Sequence, residues 1–374
     1  MGDTRGTVLT GCVSGEPNWS DAGPTSDSDL TTSYGRLWQL YDNVVVGHTE
    51  FMFWTGNVYR LRIPAWWGQI RNRGQRVKVT FFGVRGSTPC PSGSLARYGG
   101  NTSCVVVDVP GEHPIIFDLG TGLQSWGKTQ PLDGTFHATA LVTHFHFDHV
   151  QGLPFLAAAD RIGSRLDIYG PGDTGTTVKD LFTGFVRPPY FPIGIGDLRG
   201  TYGLHDVLSN DFAVGSAMVK VRPVPHVGMT VGYRIDWQGT SVAYISDHQA
   251  PHGLDSIADS VLELCDGVDL LIHDAQYTPL DWETKSHWGH CTVAYAVQVA
   301  KSAGVKSLAL FHHDPSRTDI EVDRLAAEAR LLPDAQGICV FAASEGLGVQ
   351  LSAPMPPQVV KRVPVGPMFA SRLH

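Results

Sequence analysis

The residues with the clearest capacity for chemistry lie in segment 143–149, which reads Thr-His-Phe-His-Phe-Asp-His. The segment directly follows a predicted strand, and in extended chain His144 and His146 point the same way because they are two positions apart. Asp148 and His149 lie at the turn that follows and can reach a neighbouring point. Imidazole and carboxylate groups that converge in this way suit one or two first-row divalent ions. The segment therefore predicts a metal site.

Three further candidate ligands each follow a predicted strand: His226, Asp247 and His312. Taken singly, a histidine or aspartate at the end of a strand is more often a cap or turn residue. Together with the cluster in segment 143–149, the three are expected to complete a metal site at one edge of a sheet system. Because His313 directly follows His312, the residues alone leave both open as the last ligand.

The elements that must hold these side chains are mainly β-strands. Strands are predicted over residues 77–82, 103–109, 114–118, 138–143, 165–169, 217–224, 232–237, 241–245, 270–273, 307–311 and 346–351. Apolar periodicity predicts a helix over 292–303, which ends before Gly304, and a second over 320–330 with Asp319 placed to cap it. Strands dominate, and helices lie mainly between the later ones.

The composition favours a large folded core: 42% of the 374 residues are hydrophobic and only 17% are charged. The net charge of −8 argues against a protein whose main function is to hold phosphate backbones. A small anionic substrate remains compatible, because a metal can supply local positive charge. No run approaches the ~18 apolar residues of a membrane span, and the N-terminal residues lack a signal peptide's apolar region. We therefore expect no membrane partner and a cytoplasmic location.

The chain divides into three parts by composition. Residues 1–75 form an N-terminal extension of unknown role that is partly irregular, since 13–35 are rich in Ser, Gly, Asp and Thr. Residues 76–352 carry all of the candidate ligands and are expected to form the catalytic domain. Residues 353–374 form a Pro-rich tail.

The order of the candidate ligands resembles a known family. His-x-His-x-Asp-His, followed by a lone His, a lone Asp and a last His, is similar to the metallo-β-lactamase fold, and the resemblance covers about residues 77–352. It implies an α/β protein of the αββα type, in which two mixed β-sheets pack face to face with helices outside and the metals lie at one edge. The ligands that it implies are His144, His146 and His226 on one metal, Asp148, His149 and His312 on the other, and Asp247 between them. Asp118 corresponds to the fold's early structural aspartate, which supports the metal loop from behind.

Other segments resemble one branch of that family, which contains ribonuclease Z and the cyclic-phosphate phosphodiesterases. Segment 271–277 reads Leu-Ile-His-Asp-Ala-Gln-Tyr, segment 289–292 reads Gly-His-Cys-Thr, and 82–89 looks like the branch's opening strand and loop. The resemblance implies that His290 contacts the phosphate and assists the leaving group, while Asp274 orients His290. With Asp148, these two residues are the predicted catalytic residues.

The residues themselves give partial support to this role of His290. His-x-Thr opens the helix predicted over 292–303, and the N-terminus of a helix favours an anion. The alternative is that Thr292 is a plain N-cap and His290 lies in a loop without a catalytic role.

The expected function is that of a binuclear metal-dependent hydrolase, a phosphodiesterase that cleaves a small or cyclic phosphodiester through a hydroxide bridging the two metals. Zinc is the expected metal, with manganese and iron as alternatives that the same ligands accept. The expected partner is a small-molecule phosphodiester or ester, and a homo-oligomer is left open.

Three rival functions are weighed against this one. A hydrolase of another ester, such as a lactone or thioester, could use the same metals. A nuclease acting on RNA is disfavoured by the acidic charge and by the lack of a long basic arm rich in Gly and Pro. A non-enzymatic metal-binding role is disfavoured by the complete ligand set. Lactam hydrolysis is also disfavoured, because Asp247 stands where the common zinc β-lactamases carry Cys.

Overall fold

The structure is a computed structural model that describes residues 76–251 and 253–352 together with the backbone of three short strands. These strands are β1 (Val8–Leu9), β2 (Phe51–Met52) and β3 (Val58–Tyr59). By its contacts the chain separates into two units, residues 11–75 and the remainder. Within the first of these units β2 pairs with β3 in antiparallel orientation. The tail 353–374 and most of the extension 1–75 lie outside the described residues, so the three-part division stays a prediction.

Eight strands form the first sheet. In spatial order they are β1, β17 (Gly348–Ser352), β4 (Arg76–Gly83), β5 (Cys104–Asp108), β6 (Ile115–Phe117), β7 (His137–Leu141), β8 (Arg165–Gly170) and β9 (Thr201–Asp206). The sheet is antiparallel from β17 to β6 and parallel at both edges. The pairs from β6 to β9 are parallel, so the carboxyl ends of these strands share one edge of the sheet.

Seven strands form the second sheet, and it too is mixed. In spatial order they are β10 (Asp211–Val214), β11 (Ala217–Pro223), β12 (Val231–Trp237), β13 (Thr240–Ile245), β14 (Leu270–Asp274), β15 (Ser307–Phe311) and β16 (Cys339–Ala342). Neighbours are antiparallel from β10 to β13 and parallel from β13 to β16. Consequently β11, β13, β14 and β15 all end at the same edge.

Helices connect and cover the strands. Those in the described part of the chain are α1 (Gly122–Gly127), α2 (Phe147–Val150), α3 (Val178–Phe185), α4 (Asp259–Cys265), α5 (Pro279–Lys285), α6 (Val293–Ser302) and α7 (Asp319–Leu331). Single 3₁₀ turns occur at Gly93–Leu95, Leu153–Phe155, Ile195–Asp197 and Pro333–Ala335. Among the described residues no helix has the length and apolarity needed to cross a membrane.

The apolar side chains are buried in three layers. The two sheets face each other across one cluster, in which the ring of Phe117 stacks on that of Tyr244 with centroids 4.6 Å apart. A second cluster lies between the outer face of the first sheet and the helices α1 and α3, and a third lies beneath α4, α6 and α7 on the second sheet. The predicted αββα sandwich of two mixed sheets is therefore confirmed.

Phe117 offers a test of the layer between the sheets. Its side chain is fully buried there, so Phe117→Ala should lower the free energy of unfolding by about 3–5 kcal/mol through lost contacts and a residual cavity. Urea denaturation of the variant and of Phe155→Ala would measure this, because Phe155 is 58% exposed and its truncation should change stability little. Equal effects of the two substitutions would contradict the layer arrangement.

The start of α7 corrects one prediction. Thr318, and not Asp319, is the N-cap, because the Thr318 hydroxyl accepts from the backbone N–H of Glu321 while the Glu321 carboxylate accepts from the backbone N–H of Thr318. This reciprocal capping box leaves Asp319 inside the helix. Its carboxylate instead accepts hydrogen bonds from the backbone N–H groups of Arg97 and Tyr98.

Candidate metal centre

The predicted ligands lie together where strands of both sheets end. Segment 143–149 follows β7, and the three single ligands follow β11, β13 and β15. Their donor atoms form two groups, and within each group they lie within 4.8 Å of one another. The first group is His144, His146, His226 and Asp247, and the second is Asp148, His149 and His312.

The carboxylate of Asp247 lies between the two groups. Its Oδ2 is 3.7 Å from Nε2 of His144 and 3.6 Å from Nε2 of His226. Its Oδ1 is 3.2 Å from Nε2 of His149 and 3.4 Å from Nε2 of His312. Each oxygen therefore faces a different group, which is the arrangement that a bridging ligand requires.

Two buried polar atoms at this point lack a hydrogen bond, Nε2 of His149 and Oδ1 of Asp247. Leaving such a group unsatisfied costs about 1–3 kcal/mol, and more when it is charged. Burial would lower the pKa of His149, but the carboxylates of Asp148, Asp247 and Asp118 raise it well above its usual value. This buried group of carboxylates thus requires a positive charge, and the imidazole and carboxylate donors fit a first-row divalent cation.

Asp118 supports the loop that carries the first ligands. It directly follows β6 in a left-handed backbone conformation (φ 56°), which is uncommon outside glycine. Its carboxylate accepts hydrogen bonds from the backbone N–H of Thr143 at 2.8 Å and from the hydroxyl of Tyr244 at 2.9 Å. Nδ1 of His149 lies 2.7 Å from the same carboxylate. A proton on Nδ1 therefore leaves Nε2 of His149 to face the metal position.

The structure distinguishes between the two adjacent candidates for the last ligand. Nε2 of His312 lies 3.2 Å from Oδ2 of Asp148, inside the second group. Nε2 of His313 instead lies 2.9 Å from the carbonyl oxygen of Ala343, away from the other ligands. Of the two neighbours, His312 is therefore the one that the fold brings to the candidate centre.

His290 and Asp274 form a buried pair beside the second group. Nδ1 of His290 lies 3.0 Å from Oδ2 of Asp274, and the His290 ring lies 5.0 Å from that of His312. Asp274 is itself held by the backbone N–H groups of His248 at 3.1 Å and Gln276 at 3.0 Å. Burial would lower the pKa of His290, but Asp274 and the neighbouring carboxylates raise it above its usual value. The pair can therefore hold a proton next to the candidate metals.

Thr292 is the N-cap of α6, where its hydroxyl accepts from the backbone N–H of Tyr295 at 3.2 Å. The structure therefore contains both the N-cap formed by Thr292 and the contact between His290 and Asp274. Capping by Thr292 does not separate the two interpretations of His290, so its catalytic role stays a prediction.

Sequence reasoning missed the contribution of the loop after β4. The backbone N–H of Ser87 donates to Oδ2 of Asp148 at 2.7 Å, and Ser87 adopts a left-handed conformation to do so (φ 62°). Segment 82–89 resembles a known opening loop. The hydrogen bond itself could not be predicted, because every residue except proline has a backbone N–H and the residue type does not show which of them donates.

An αββα sandwich with such a group of histidines and aspartates at one edge defines the class of metallo-hydrolases with the β-lactamase fold. A family model described as the β-lactamase superfamily domain matches residues 113–313, more than half of the chain. The chain therefore belongs to the β-lactamase superfamily, and it is a hydrolase of that superfamily.

Individual proteins are similar to this chain over about two thirds to three quarters of its length. It is 26% identical over 306 residues to a protein named ribonuclease Z from Haloarcula marismortui, covering 68% of this chain and 91% of the relative. It shares its fold with the metallo-β-lactamase fold protein YhfI from Bacillus subtilis, with a TM-score of 0.56, 20% identity and coverage of 74% and 99%. A diphosphatase of the PhnP family gives a TM-score of 0.53, 21% identity and coverage of 74% and 98%. Together with the superfamily model, the sequence relative supports the predicted branch.

Proposed function

We propose that this chain is a binuclear metal-dependent phosphodiesterase that hydrolyses a small or cyclic phosphodiester. The observation that carries the proposal is the position of Asp247 between two groups of ligands, with the His290–Asp274 pair next to them. The similarity to a protein named ribonuclease Z supports a phosphodiester as the bond that is cleaved.

The proposed ligands are the seven residues that the sequence marked. His144, His146 and His226 would hold the first ion, Asp148, His149 and His312 the second, and Asp247 both. When bound, two such ions supply Lewis acidity that activates water and neutralises phosphoryl charge. Zinc is the proposed metal, and manganese and iron are the alternatives that the ligand chemistry admits.

The proposed role of His290 is to protonate the leaving oxygen. Its Nδ1 faces Asp274 at 3.0 Å, which fixes the orientation of the ring and leaves Nε2 to meet the substrate. Asp274 would also stabilise the charged imidazolium, because its own carboxylate is anchored by two backbone N–H groups. Donation of this kind contributes about 10²–10⁴-fold to the rate of a hydrolysis.

A small substrate is proposed in preference to a polynucleotide. The chain has 36 acidic against 28 basic residues, and binding to a nucleic-acid backbone depends on lysine and arginine contacts with its phosphates. A small phosphodiester needs little more than the metals and His290 for recognition of its charge. Salt-dependent binding of RNA would contradict this part of the proposal.

The experiment that tests the function measures metal content and turnover of bis-p-nitrophenyl phosphate on the same preparation. About two equivalents of metal per chain, with hydrolysis that a chelator abolishes and added zinc or manganese restores, is the expected result. Two equivalents without phosphodiesterase activity would instead favour hydrolysis of a carbonyl ester, such as a lactone or thioester. Protein that binds no metal when offered zinc and manganese would contradict the metal centre itself.

A further inference from the structure

We propose that Gln276 is a positioning residue that fixes the ring of His312 with Nδ1 protonated, so that Nε2 is free to bind the second metal. The inference rests on the proposed metal centre. Gln276 is buried, and its side-chain Oε1 lies 2.9 Å from Nδ1 of His312. An amide oxygen can only accept, so this contact is a hydrogen bond when the imidazole carries its proton on Nδ1.

The other nitrogen of the ring faces the ligand group. Nε2 of His312 lies 3.2 Å from Oδ2 of Asp148 and 3.4 Å from Oδ1 of Asp247. Gln276 therefore lies on the far side of the imidazole from the metal position. This is where a partner must lie if it is to set which nitrogen is protonated.

Each of the other buried imidazoles in the two groups also has a partner on its Nδ1. His149 faces Asp118 at 2.7 Å, and Nδ1 of His144 lies 3.0 Å from the hydroxyl of Thr143. For His312 the corresponding contact within the described residues is Gln276. By this comparison Gln276 accepts the Nδ1 proton of His312 as Asp118 accepts that of His149, but the Gln276 acceptor is a neutral amide and not a carboxylate.

The backbone around His312 leaves space for the contact between the His312 ring and the Gln276 amide. His312 adopts a left-handed conformation (φ 57°), and the peptide that follows is held by hydrogen bonds from His313 N–H to the Val84 carbonyl and from Gly86 N–H to the His313 carbonyl. A β-carbon at Gly86 would lie 2.4 Å from the His312 ring and 2.9 Å from Oε1 of Gln276. Gly86 is therefore required for the imidazole and the amide to meet.

Gln276 also lies next to Ser87, which holds a second ligand of the same group. Its Nε2 lies 3.5 Å from Oγ of Ser87, at the long limit of a hydrogen bond, and the Ser87 backbone N–H donates to Asp148 at 2.7 Å. One side chain thus contacts His312 itself and Ser87, the residue that supports Asp148. The hydrogen bond from Gln276 to Asp274 uses the backbone N–H, so a side-chain substitution leaves that donor in place.

Metal affinity in Gln276→Leu is the direct test, measured by competition with a chromophoric zinc chelator. We expect one equivalent of zinc to bind about 10–100-fold more weakly while the other keeps its affinity, because loss of such a partner typically has an effect of this size. Gln276→Glu keeps an acceptor oxygen at the same place and should restore most of the affinity. Gln350→Leu is the matched control, since Gln350 makes its hydrogen bond with Arg76 at the surface.

A spectroscopic measurement separates positioning from general loosening of the fold. In zinc-loaded protein with ¹⁵N-labelled histidine, the Nδ1 proton of His312 should exchange slowly with solvent in the wild type, where Gln276 accepts it, and faster in Gln276→Leu, where it has no acceptor. Unchanged affinity in Gln276→Leu, while the wild type holds two equivalents, would overturn the inference and leave the proposed function standing. Equal weakening of both equivalents, with no rescue in Gln276→Glu, would overturn it too. A wild type that binds no zinc would instead refute the proposed function.

Discussion

Asp247→Asn is expected to lose at least one metal equivalent and to reduce kcat for phosphodiester hydrolysis by at least about a thousand-fold, or about 4 kcal/mol of transition-state stabilisation. The reason is that the carboxylate serves both ligand groups: its two oxygens lie 3.2–3.7 Å from the imidazoles of His144, His226, His149 and His312. An asparagine has nearly the same shape but one neutral donor in place of an oxygen. It can neither bridge two cations nor balance their charge.

Metal analysis after gel filtration, together with initial rates at saturating zinc, would measure this. Asp236→Asn is the matched control, because that carboxylate pairs with Arg234 away from the candidate centre. The control should keep both equivalents and the wild-type rate. An Asp247→Asn protein that retains both metals and full turnover would remove the bridging role on which the proposed function rests.

Many residues of this candidate site could be predicted because the sequence shows both the order of the ligands and the predicted strand that precedes each of them. His226, Asp247 and His312 are far apart in sequence, but each follows a short apolar run that predicts a strand. Carboxyl ends of strands that run in the same direction meet at one edge, so residues placed there converge without any knowledge of the loops. The fold class came from the resemblance to a known family and not from the strand pattern alone, and the strands predicted from strong apolar runs are present with shifted ends.

Within residues 76–352 the strands that the pattern missed either lack a clear apolar alternation or are only four residues long. β9 reads Thr-Tyr-Gly-Leu-His-Asp, and as the last strand of its sheet it buries its side chains only partly. Its glycine and polar residues do not alternate clearly with apolar ones. β10 lies at the corresponding edge of the second sheet and is short, and β16 has only four residues.

Apart from Asp118, which the resemblance implied, the contacts that hold the surrounding loops could not be predicted, because they join residues that are far apart in sequence. Arg85 is fully buried, although arginine is ordinarily exposed. Its Nε donates to the carbonyl of Gly99 at 2.8 Å, and a terminal nitrogen donates to that of Arg317 at 2.7 Å, 232 positions away. Gln276 likewise meets His312 only because β14 and β15 are neighbours. Residue type alone predicts neither set of contacts.

His290→Ala should retain both metals and lose about 10²–10⁴-fold in kcat, provided that the leaving group needs a proton. How the rate defect of His290→Ala varies with the leaving group is a more specific prediction than the size of the defect. In a series of aryl methyl phosphates, phenols of low pKa leave readily as anions, whereas those of high pKa require protonation. The defect of His290→Ala should therefore grow as the pKa of the phenol rises.

His287→Ala is the matched control, because His287 is an exposed histidine only three positions away and should leave the rate unchanged across the series. Asp274→Asn should reproduce a smaller version of the His290→Ala defect, since the ring keeps a neighbour but loses the charge that stabilises its protonated form. A defect of constant size across the series would mean that His290 steadies charge on the phosphate without donating a proton. Full activity in His290→Ala would remove its catalytic role, and the metals alone would then have to account for departure of the leaving group.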